Sequence, residues 1–264
     1  LILREAPGTG ERMAVLVVRR LAADFAALEK RLIDALAPIG LAALLLNLHE
    51  APGSAVLSFA PGSTRVLLGK SGIEANLLGL AFSLGAETFL QVNTPQTPVL
   101  YSLALDQLGI AEGDRVLDLY CGVGTLTLLA ARRARKALGI ERVPHSIECA
   151  RTNARANHLG NAEFLALPVE KALEREDVKA FAPTLVIADP AYQGLAGGAA
   201  EALGKLMKAS GAKRLAYISC NPKSFARDAA VLSSSGLRLR SVTPVDMFPG
   251  AMHLEVVGIF EAEA

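Results

Sequence analysis

The sequence predicts an α/β protein in which a parallel-sheet domain follows a small α+β domain. From residue 89 onward, short apolar segments alternate with segments of helical spacing, which is typical of a parallel sheet covered by helices on both faces. Before that point, short β-rich segments separated by Gly and Pro surround one helical segment. With 264 residues, 52% of them hydrophobic, the chain has enough apolar material for two cores. We therefore predict two domains, residues 1–88 and 89–264.

The first domain is predicted to contain short strands and one helix. Apolar side chains recur at helical spacing between residues 21 and 36 and form one stripe: Leu21, Phe25, Leu28, Leu32 and Leu36. Strands are predicted over residues 1–5, 13–18, 44–49, 55–59, 64–68 and 77–84. This pattern indicates a small α+β domain.

The second domain is predicted to begin with a helix at Thr94-Pro95, because Thr can cap free amides and Pro suits a first turn. Strands follow over residues 115–119, 137–140, 163–165, 185–188 and 214–219, with helices ending near 133 and spanning 144–157, 198–209 and 223–234. The last two strands, 237–245 and 253–260, have no helix between them. They are predicted to close the sheet as an antiparallel hairpin.

Charge and cysteine usage narrow the class of protein. The net charge is +1, so any binding to nucleic acid must use local patches or another domain. The three cysteines, Cys121, Cys149 and Cys220, contain no Cys-x-x-Cys pair, so we expect neither disulfides nor a metal or iron–sulfur site. No membrane-spanning apolar run and no signal peptide are found, which predicts a soluble, cytoplasmic protein, and nothing implies an oligomer, so a monomer is expected. Because the chain starts at Leu1 in a predicted strand, we expect an upstream segment to be missing.

A glycine-containing turn after the strand 115–119 is the candidate cofactor site. The segment from Asp118 to Thr125 includes Gly122 and Gly124, and glycines there let the backbone approach a ligand closely. Glu141 ends the next strand, near the spacing at which such folds place a carboxylate on a ribose diol. Each feature alone is weak, since many doubly wound domains need glycine in this turn and Asp118 can simply cap it.

The identity of the cofactor depends on what the turn lacks. A dinucleotide site expects a third glycine, so that a pyrophosphate can lie on the helix amides, but Leu128 lies in that region. S-adenosylmethionine carries no phosphate, and Asp118 is available near its positively charged methionine amine. The looser glycine pattern therefore favours S-adenosylmethionine over a nicotinamide cofactor.

Several further segments carry a family resemblance. They are Phe89-Leu90-Gln91-Val92-Asn93, Asp189-Pro190, Ser219-Cys220-Asn221-Pro222, Asp246-Met247-Phe248-Pro249 and His253-Leu254-Glu255. Together with Asp118-Leu119-Tyr120-Cys121-Gly122, their order and spacing resemble the RNA 5-methyluridine (uracil-C5) methyltransferases of tRNA and rRNA. The resemblance extends over essentially the whole chain, since residues 72–82 are similar to the family's central domain. It implies a Rossmann-like S-adenosylmethionine-dependent methyltransferase sheet, preceded by a small domain that can contact RNA. An N-terminal RNA-binding β-barrel, found in many relatives, is expected to be absent from these residues.

The resemblance also implies roles for individual residues. Cys220 is then the nucleophile and Glu255 the proton acceptor, while the cofactor-contacting positions are Gln91, Tyr120, Thr125, Glu141 and Asp189. Such groups are needed because carbon 5 of uracil is a poor nucleophile, and a thiolate adding at carbon 6 makes it reactive. A carboxylate can then remove the carbon 5 proton. We expect a flipped or looped uridine as substrate, and we expect the helix start after Cys220 to assist thiolate formation.

Three departures from the family pattern keep other functions open. Tyr192 occupies the position of the Arg that usually follows Asp-Pro, and Pro168 replaces an Asn or Asp near the adenine. The segment before His253 lacks the usual Thr, and His253 can either orient Glu255 or fill the hairpin. Besides uridine methylation, the alternatives are an impaired relative that binds cofactor or RNA and a methyltransferase for another base, such as cytosine.

Overall fold

The computed structural model describes residues 1–50, 56–60, 62–195, 197–251 and 254–263. The chain forms two compact units, Leu1–Leu90 and Gln91–Ala264. The boundary predicted from the sequence lies two residues earlier, where the alternation of strands and helices begins.

The first unit contains a four-stranded sheet of order β1-β2-β3-β4. Its strands are β1 (Ile2–Glu5), β2 (Arg12–Val18), β3 (Ala43–Leu48) and β4 (Thr64–Gly69), and helix α1 (Phe25–Leu36) with a short 3₁₀ helix (Ala37–Ile39) connects β2 to β3. Since β2 and β3 are parallel, they need such a crossover, whereas the other neighbours are antiparallel. The helix covers the core with part of its predicted stripe, but it begins four residues later than predicted, and Leu21 lies exposed before it.

Two other predictions in this unit are wrong. No strand forms over residues 56–59, and residue 55 lies outside the described part; the side chain of Asn47 instead binds both backbone groups of Ser58, at 2.9 Å each. The predicted strand 77–84 is a hairpin of β5 (Ile73–Leu77) and β6 (Leu80–Leu84). Leu78 and Gly79 both have positive φ, as a tight hairpin turn requires.

The second unit contains a seven-stranded sheet of order β12-β13-β11-β10-β7-β8-β9. The strands are β7 (Arg115–Leu119), β8 (Lys136–Glu141), β9 (Ala162–Ala166), β10 (Leu185–Ala188), β11 (Arg214–Ser219), β12 (Leu237–Val245) and β13 (Glu255–Ala262). The five from β7 to β11 are parallel, and β12 and β13 are antiparallel to their neighbours. The predicted fold class is confirmed, and the sheet closes with the predicted antiparallel hairpin.

Helices connect these strands and cover the sheet. They are α2 (Thr97–Leu108), α3 (Thr125–Ala131), α4 (Pro144–Ala156), α5 (Val169–Ala172), α6 (Glu176–Phe181), α7 (Ala199–Ser210) and α8 (Pro222–Ser234). The central strand β10 is buried along its whole length, as expected for a parallel strand between two helical layers. Helix α2 begins at Thr97 rather than at Thr94, because Asn93 binds the first turn: its Oδ1 accepts from the Gln96 amide and its carbonyl accepts from the Thr97 hydroxyl.

None of the helices in the described ranges combines the length and apolar character needed to cross a membrane.

Candidate active site

Five predicted site residues lie at one edge of the seven-stranded sheet, where its parallel strands end. Tyr120 follows β7, Asp189 follows β10 and Cys220 follows β11, while Glu141 is the last residue of β8 and Glu255 the first of β13. Because β13 runs antiparallel, its first residue lies at the edge where the parallel strands finish. The strand order β13-β11-β10-β7-β8 therefore arranges Glu255, Cys220, Asp189, Tyr120 and Glu141 in a row. Open α/β sheets bind ligands at this edge.

The register of β11 and β13 places Cys220 beside Glu255. Ser219 pairs with Val256 in an antiparallel ladder, so the residue after Ser219 and the residue before Val256 lie side by side. Cys220 is half-buried, and Glu255 is 4% exposed. The two groups that the proposed chemistry needs on one base are therefore neighbours, although 34 positions of sequence separate them.

Three carboxyl groups and a thiol form an acidic cluster at this edge. Burial and the nearby Asp189 raise the pKa of Glu255 to about 7, and burial raises the pKa of Asp189 to about 7. Burial, with Glu255 and Asp189 adding their charge, also raises the pKa of the Cys220 thiol. A backbone hydrogen bond of Cys220 acts in the opposite direction and lowers this pKa, although the net shift is upward. Assistance of thiolate formation by the helix start stays a prediction; one amide of that turn, the Lys223 N–H, donates to Asn221.

Asp118 is the third carboxyl and is almost fully buried. The hydroxyl of Thr127 on α3 donates a 2.5 Å hydrogen bond to its Oδ2. Burial raises the pKa of Asp118 to about 7, and the charge of Asp189 acts in the same direction. Among the described residues, no Lys, Arg or His contributes to the pKa values of Asp118, Asp189 or Glu255. A cationic ligand would relieve this accumulation of negative charge.

The glycine turn between β7 and α3 provides room for a ligand. Gly122 has φ +54°, and a Cβ there would project into open space. Gly124, with φ +85°, is packed instead: a Cβ would approach Phe164 to 3.0 Å and Ala150 to 3.1 Å. Thr125 follows as the first residue of α3 and is buried. The turn is therefore open to a ligand at Gly122 and packed against Phe164 and Ala150 at Gly124.

The open turn, the Glu141 carboxylate and the uncompensated acidic cluster together fit S-adenosylmethionine. Glu141 is partly exposed, and its Oε1 accepts a 2.9 Å hydrogen bond from the Val143 amide, which orients the carboxylate at the strand end. Its second oxygen can accept from a ribose hydroxyl. The sulfonium and ammonium groups of this cofactor are cations, as the cluster requires.

Tyr101, on α2, lies among the candidate site residues and was not predicted from the sequence. Its phenol is buried and hydrogen-bonded to the side chain of Gln91, and the charges of Asp189, Asp118 and Glu255 all act on it. Burial first, and these carboxylates next, raise its pKa well above the usual value. The spacing of Tyr101 on an apolar helix face is that of an ordinary core residue, so no signal in the sequence distinguishes it.

The loop after Asp189 is bound to the first turns of α8. Ala191 and Gly194 close a turn through a 2.8 Å backbone hydrogen bond. The carbonyl of Tyr192 accepts hydrogen bonds from the side chains of Asn221 and Ser224, both at 3.2 Å. The carbonyl of Gln193 accepts from the Arg227 guanidinium at 2.7 Å. The loop that departs from the family pattern is thereby fixed next to Cys220.

The remaining cysteines, and His253, are not among the residues that form the acidic cluster. Cys121 is buried beneath the glycine turn, and Cys149 lies half-buried on α4. His253, whose role the sequence leaves open, lies outside the described residues. A separate cleft of about 870 Å³ opens at the opposite edge of the sheet, near Gly109, Lys213 and Glu263, and contains none of the predicted site residues.

Comparison with known proteins identifies similar sequences. A family model described as tRNA (Uracil-5-)-methyltransferase matches residues 79–263. An uncharacterized RNA methyltransferase of Lactiplantibacillus plantarum is 39% identical over 199 residues, which is 75% of this chain and 43% of that protein. Another, from Lactococcus lactis, is 34% identical over 263 residues, 98% of this chain and 55% of that protein. The chain therefore spans about half the length of these relatives.

A solved structure is similar over nearly the whole chain. It is the tRNA (uracil-54, C5)-methyltransferase of Pyrococcus abyssi in complex with S-adenosyl-L-homocysteine, with a TM-score of 0.77 and 26% sequence identity. The similarity covers 98% of this chain and 58% of that protein.

Proposed function

This chain belongs to the tRNA (uracil-5-)-methyltransferase family, and on that premise we propose that it carries the S-adenosylmethionine-dependent methylation of carbon 5 of an RNA uridine. The observation that carries the proposal is the register that brings Cys220 next to Glu255 at the ligand-binding edge of the sheet. Gln91, Asp118, Tyr120, Gly122, Thr125, Glu141 and Asp189 are the proposed cofactor contacts, and the target is a flipped or looped uridine of tRNA or rRNA.

In the proposed mechanism, Cys220 is the nucleophile and Glu255 is the general base. The Cys220 thiolate bonds to carbon 6 of uracil, and the electrons of the C5–C6 double bond move onto the carbonyl as an enolate. When bound, S-adenosylmethionine supplies an electrophilic methyl group for carbon 5. Glu255 then accepts the proton of carbon 5, and departure of the Cys220 thiolate restores the double bond. The Glu255 pKa of about 7 suits a base that must be ionised near neutral pH.

The acidic neighbours impose an order on these events. Glu255 and Asp189 oppose ionisation of Cys220 while they are charged and uncompensated. A bound cation, or protonation of these carboxyls, weakens that opposition. We therefore expect Cys220 to become reactive when the cofactor site is filled, which restricts adduct formation to the complete complex.

Trapping of the covalent adduct tests this function. RNA transcribed with 5-fluorouridine is incubated with the protein and S-adenosylmethionine, and denaturing electrophoresis detects an adduct. Fluorine cannot leave as a proton, so the adduct accumulates. Cys220→Ala should abolish it, whereas Cys149→Ala, which changes another half-buried cysteine, should not. An adduct that persists in Cys220→Ala, or none in the wild type, rejects the mechanism.

The same experiment distinguishes the alternatives. An impaired relative that only binds would give no adduct, and a cytosine methyltransferase would react with 5-fluorocytidine RNA instead. Glu255→Gln provides a further test: without a base for the carbon 5 proton, it should accumulate the adduct with ordinary uridine RNA. Rapid turnover by Glu255→Gln would exclude Glu255 as the base.

A further inference from the structure

The side chain of Tyr192 is exposed at the tip of the turn that follows Asp189. It is 58% exposed, and among the described residues from 91 onward it is the only exposed Phe or Tyr. Its two hydrogen bonds, from Asn221 and Ser224, go to the backbone carbonyl and leave the ring outside. The carbonyl that carries this ring is bonded to Asn221, the residue after Cys220, so the exposed ring lies on the loop next to the proposed nucleophile.

The support beneath this ring is rigid. Asp228 is buried, and its Oδ2 accepts from the Leu195 amide and from the Tyr217 hydroxyl, both at 2.7 Å. A Cβ at Gly194 would approach that same oxygen to 2.2 Å, so glycine lets the loop lie directly on the carboxylate. The backbone of the loop is thus fixed on both sides of Gln193, so ligand binding has to order only the side chain of Tyr192 and not the loop.

Two basic side chains lie on helix α8, to which the Tyr192 loop is bound. Lys223 and Arg227 are exposed and four positions apart, so they lie on one face of α8. The Arg227 guanidinium already binds the Gln193 carbonyl and the Asp228 carboxylate, both at 2.7 Å, so Lys223 is the cation offered to a phosphate. An aromatic ring with basic side chains beside it is the usual composition of a single-strand binding surface, where bases stack and phosphates pair with the cations.

We infer that Tyr192 is a stacking platform for a base of the RNA strand that flanks the uridine bound at Cys220. The inference rests on the proposed function and adds a substrate contact to it. A phenol ring offers a flat apolar face and no fixed charge, so this position contacts a base plane rather than a phosphate. Because every base has such a face, the contact strengthens binding with little sequence preference.

The test uses the absence of tryptophan from the sequence. Tyr192→Trp introduces a single tryptophan whose emission should be quenched on titration with single-stranded oligouridylate, since a stacked base quenches the indole. Val242→Trp, at an exposed position of the edge strand β12, is the control and should remain unquenched. Inorganic polyphosphate, which offers phosphates without bases, should quench neither variant.

Oligouridylate binding is also measured for the wild type and for variants that contain no tryptophan. Tyr192→Phe keeps the stacking face and should retain Kd for oligouridylate within about twofold, whereas Tyr192→Leu should raise Kd about 5- to 100-fold, the range expected for loss of one stacked base. Unchanged Kd in Tyr192→Leu, or equal quenching at positions 192 and 242, overturns the inference. Adduct formation with 5-fluorouridine RNA reports separately on Cys220, so stacking can fail while the proposed function stands; absence of the adduct rejects both.

Discussion

The hydroxyl of Tyr217 donates a 2.7 Å hydrogen bond to the carboxylate of Asp228, and both side chains are buried. Tyr217 lies on β11, three residues before Cys220, and Asp228 lies on α8, eight residues after it. The pair therefore joins the strand that precedes the nucleophile to the helix that follows it. Asp228 extends the connection to the loop after Asp189 by accepting from the Leu195 amide.

Asp228→Ala should destabilise the protein by about 2–5 kcal/mol, because a buried amide and a buried phenol would each lose a partner. Urea denaturation measures the free energy of unfolding. Tyr217→Phe removes only one donor and should cost about 1 kcal/mol. Asp106→Ala, which breaks an exposed ion pair with Arg133, is the control and should change stability by less than about 1 kcal/mol. Equal effects of Asp228→Ala and Asp106→Ala would contradict a structural role for this contact.

The glycine turn gives a paired prediction for Gly122 and Gly124. Both have positive φ, so alanine at either position costs about 1 kcal/mol or more. Alanine at 124 also meets Phe164 and Ala150, whereas alanine at 122 projects into open space. We expect Gly124→Ala to lower the free energy of unfolding further. Gly122→Ala should remain folded but bind S-adenosylmethionine at least tenfold more weakly, as calorimetry can measure. Wild-type affinity in Gly122→Ala would exclude the open side of the turn as the cofactor site.

The sequence predicted the second unit better than the first for a physical reason. Parallel strands between two helical layers are continuously apolar, and β7, β10 and β11 match the predicted bounds to the residue. In the first unit, side chains compete with the β-ladders: Asn47 binds Ser58 directly, and no strand forms at residues 56–59. At the start of α2, Asn93 rather than Thr94 binds the first turn.

In the candidate site, too, some residues could be placed from the sequence and others could not. Residues that follow a strand, such as Asp189 and Cys220, are predictable because strand ends meet at one edge. Tyr101 and Asp228 were not predicted, since each lies within a helix and only the packed structure brings it to its partners. Burial, followed by the charges of Glu255 and Asp189, raises the pKa of Cys220, and none of these contributions is visible in the residues next to Cys220 in the sequence.

Asp118 should make stability depend on pH. Burial raises its pKa from 3.8 to about 7, so between those values the folded state binds a proton that the unfolded state has released. This contribution is complete below the unfolded pKa and is lost as pH rises through the folded one. Asp118→Asn removes it. The difference in unfolding free energy, wild type minus variant, should fall by about 2–4 kcal/mol from pH 4 to pH 8. Parallel curves for wild type and variant would contradict the raised pKa.

Glu255 should control the reactivity of Cys220. Alkylation by iodoacetamide requires the thiolate, and the negative charge of Glu255 raises the Cys220 pKa. In a Cys149→Ser background, which leaves Cys220 as the accessible thiol, Glu255→Gln should shift the midpoint of alkylation to lower pH. Glu163→Gln is the control, because it removes an exposed carboxylate on β9 that pairs with Lys136 on β8. It should leave the midpoint of alkylation unchanged.

Methyl transfer should respond to Glu255→Gln in the opposite way to that alkylation. Its rate needs ionised Glu255, so in the wild type it should rise through about pH 7, the Glu255 pKa, and keep rising toward the higher pKa of the thiol. Glu255→Gln should lose the step near pH 7 and most of the rate, about 100-fold or more for loss of a general base, although its thiol ionises more readily. A variant that combined the lower alkylation midpoint with undiminished methyl transfer would show that Glu255 tunes Cys220 without accepting the proton.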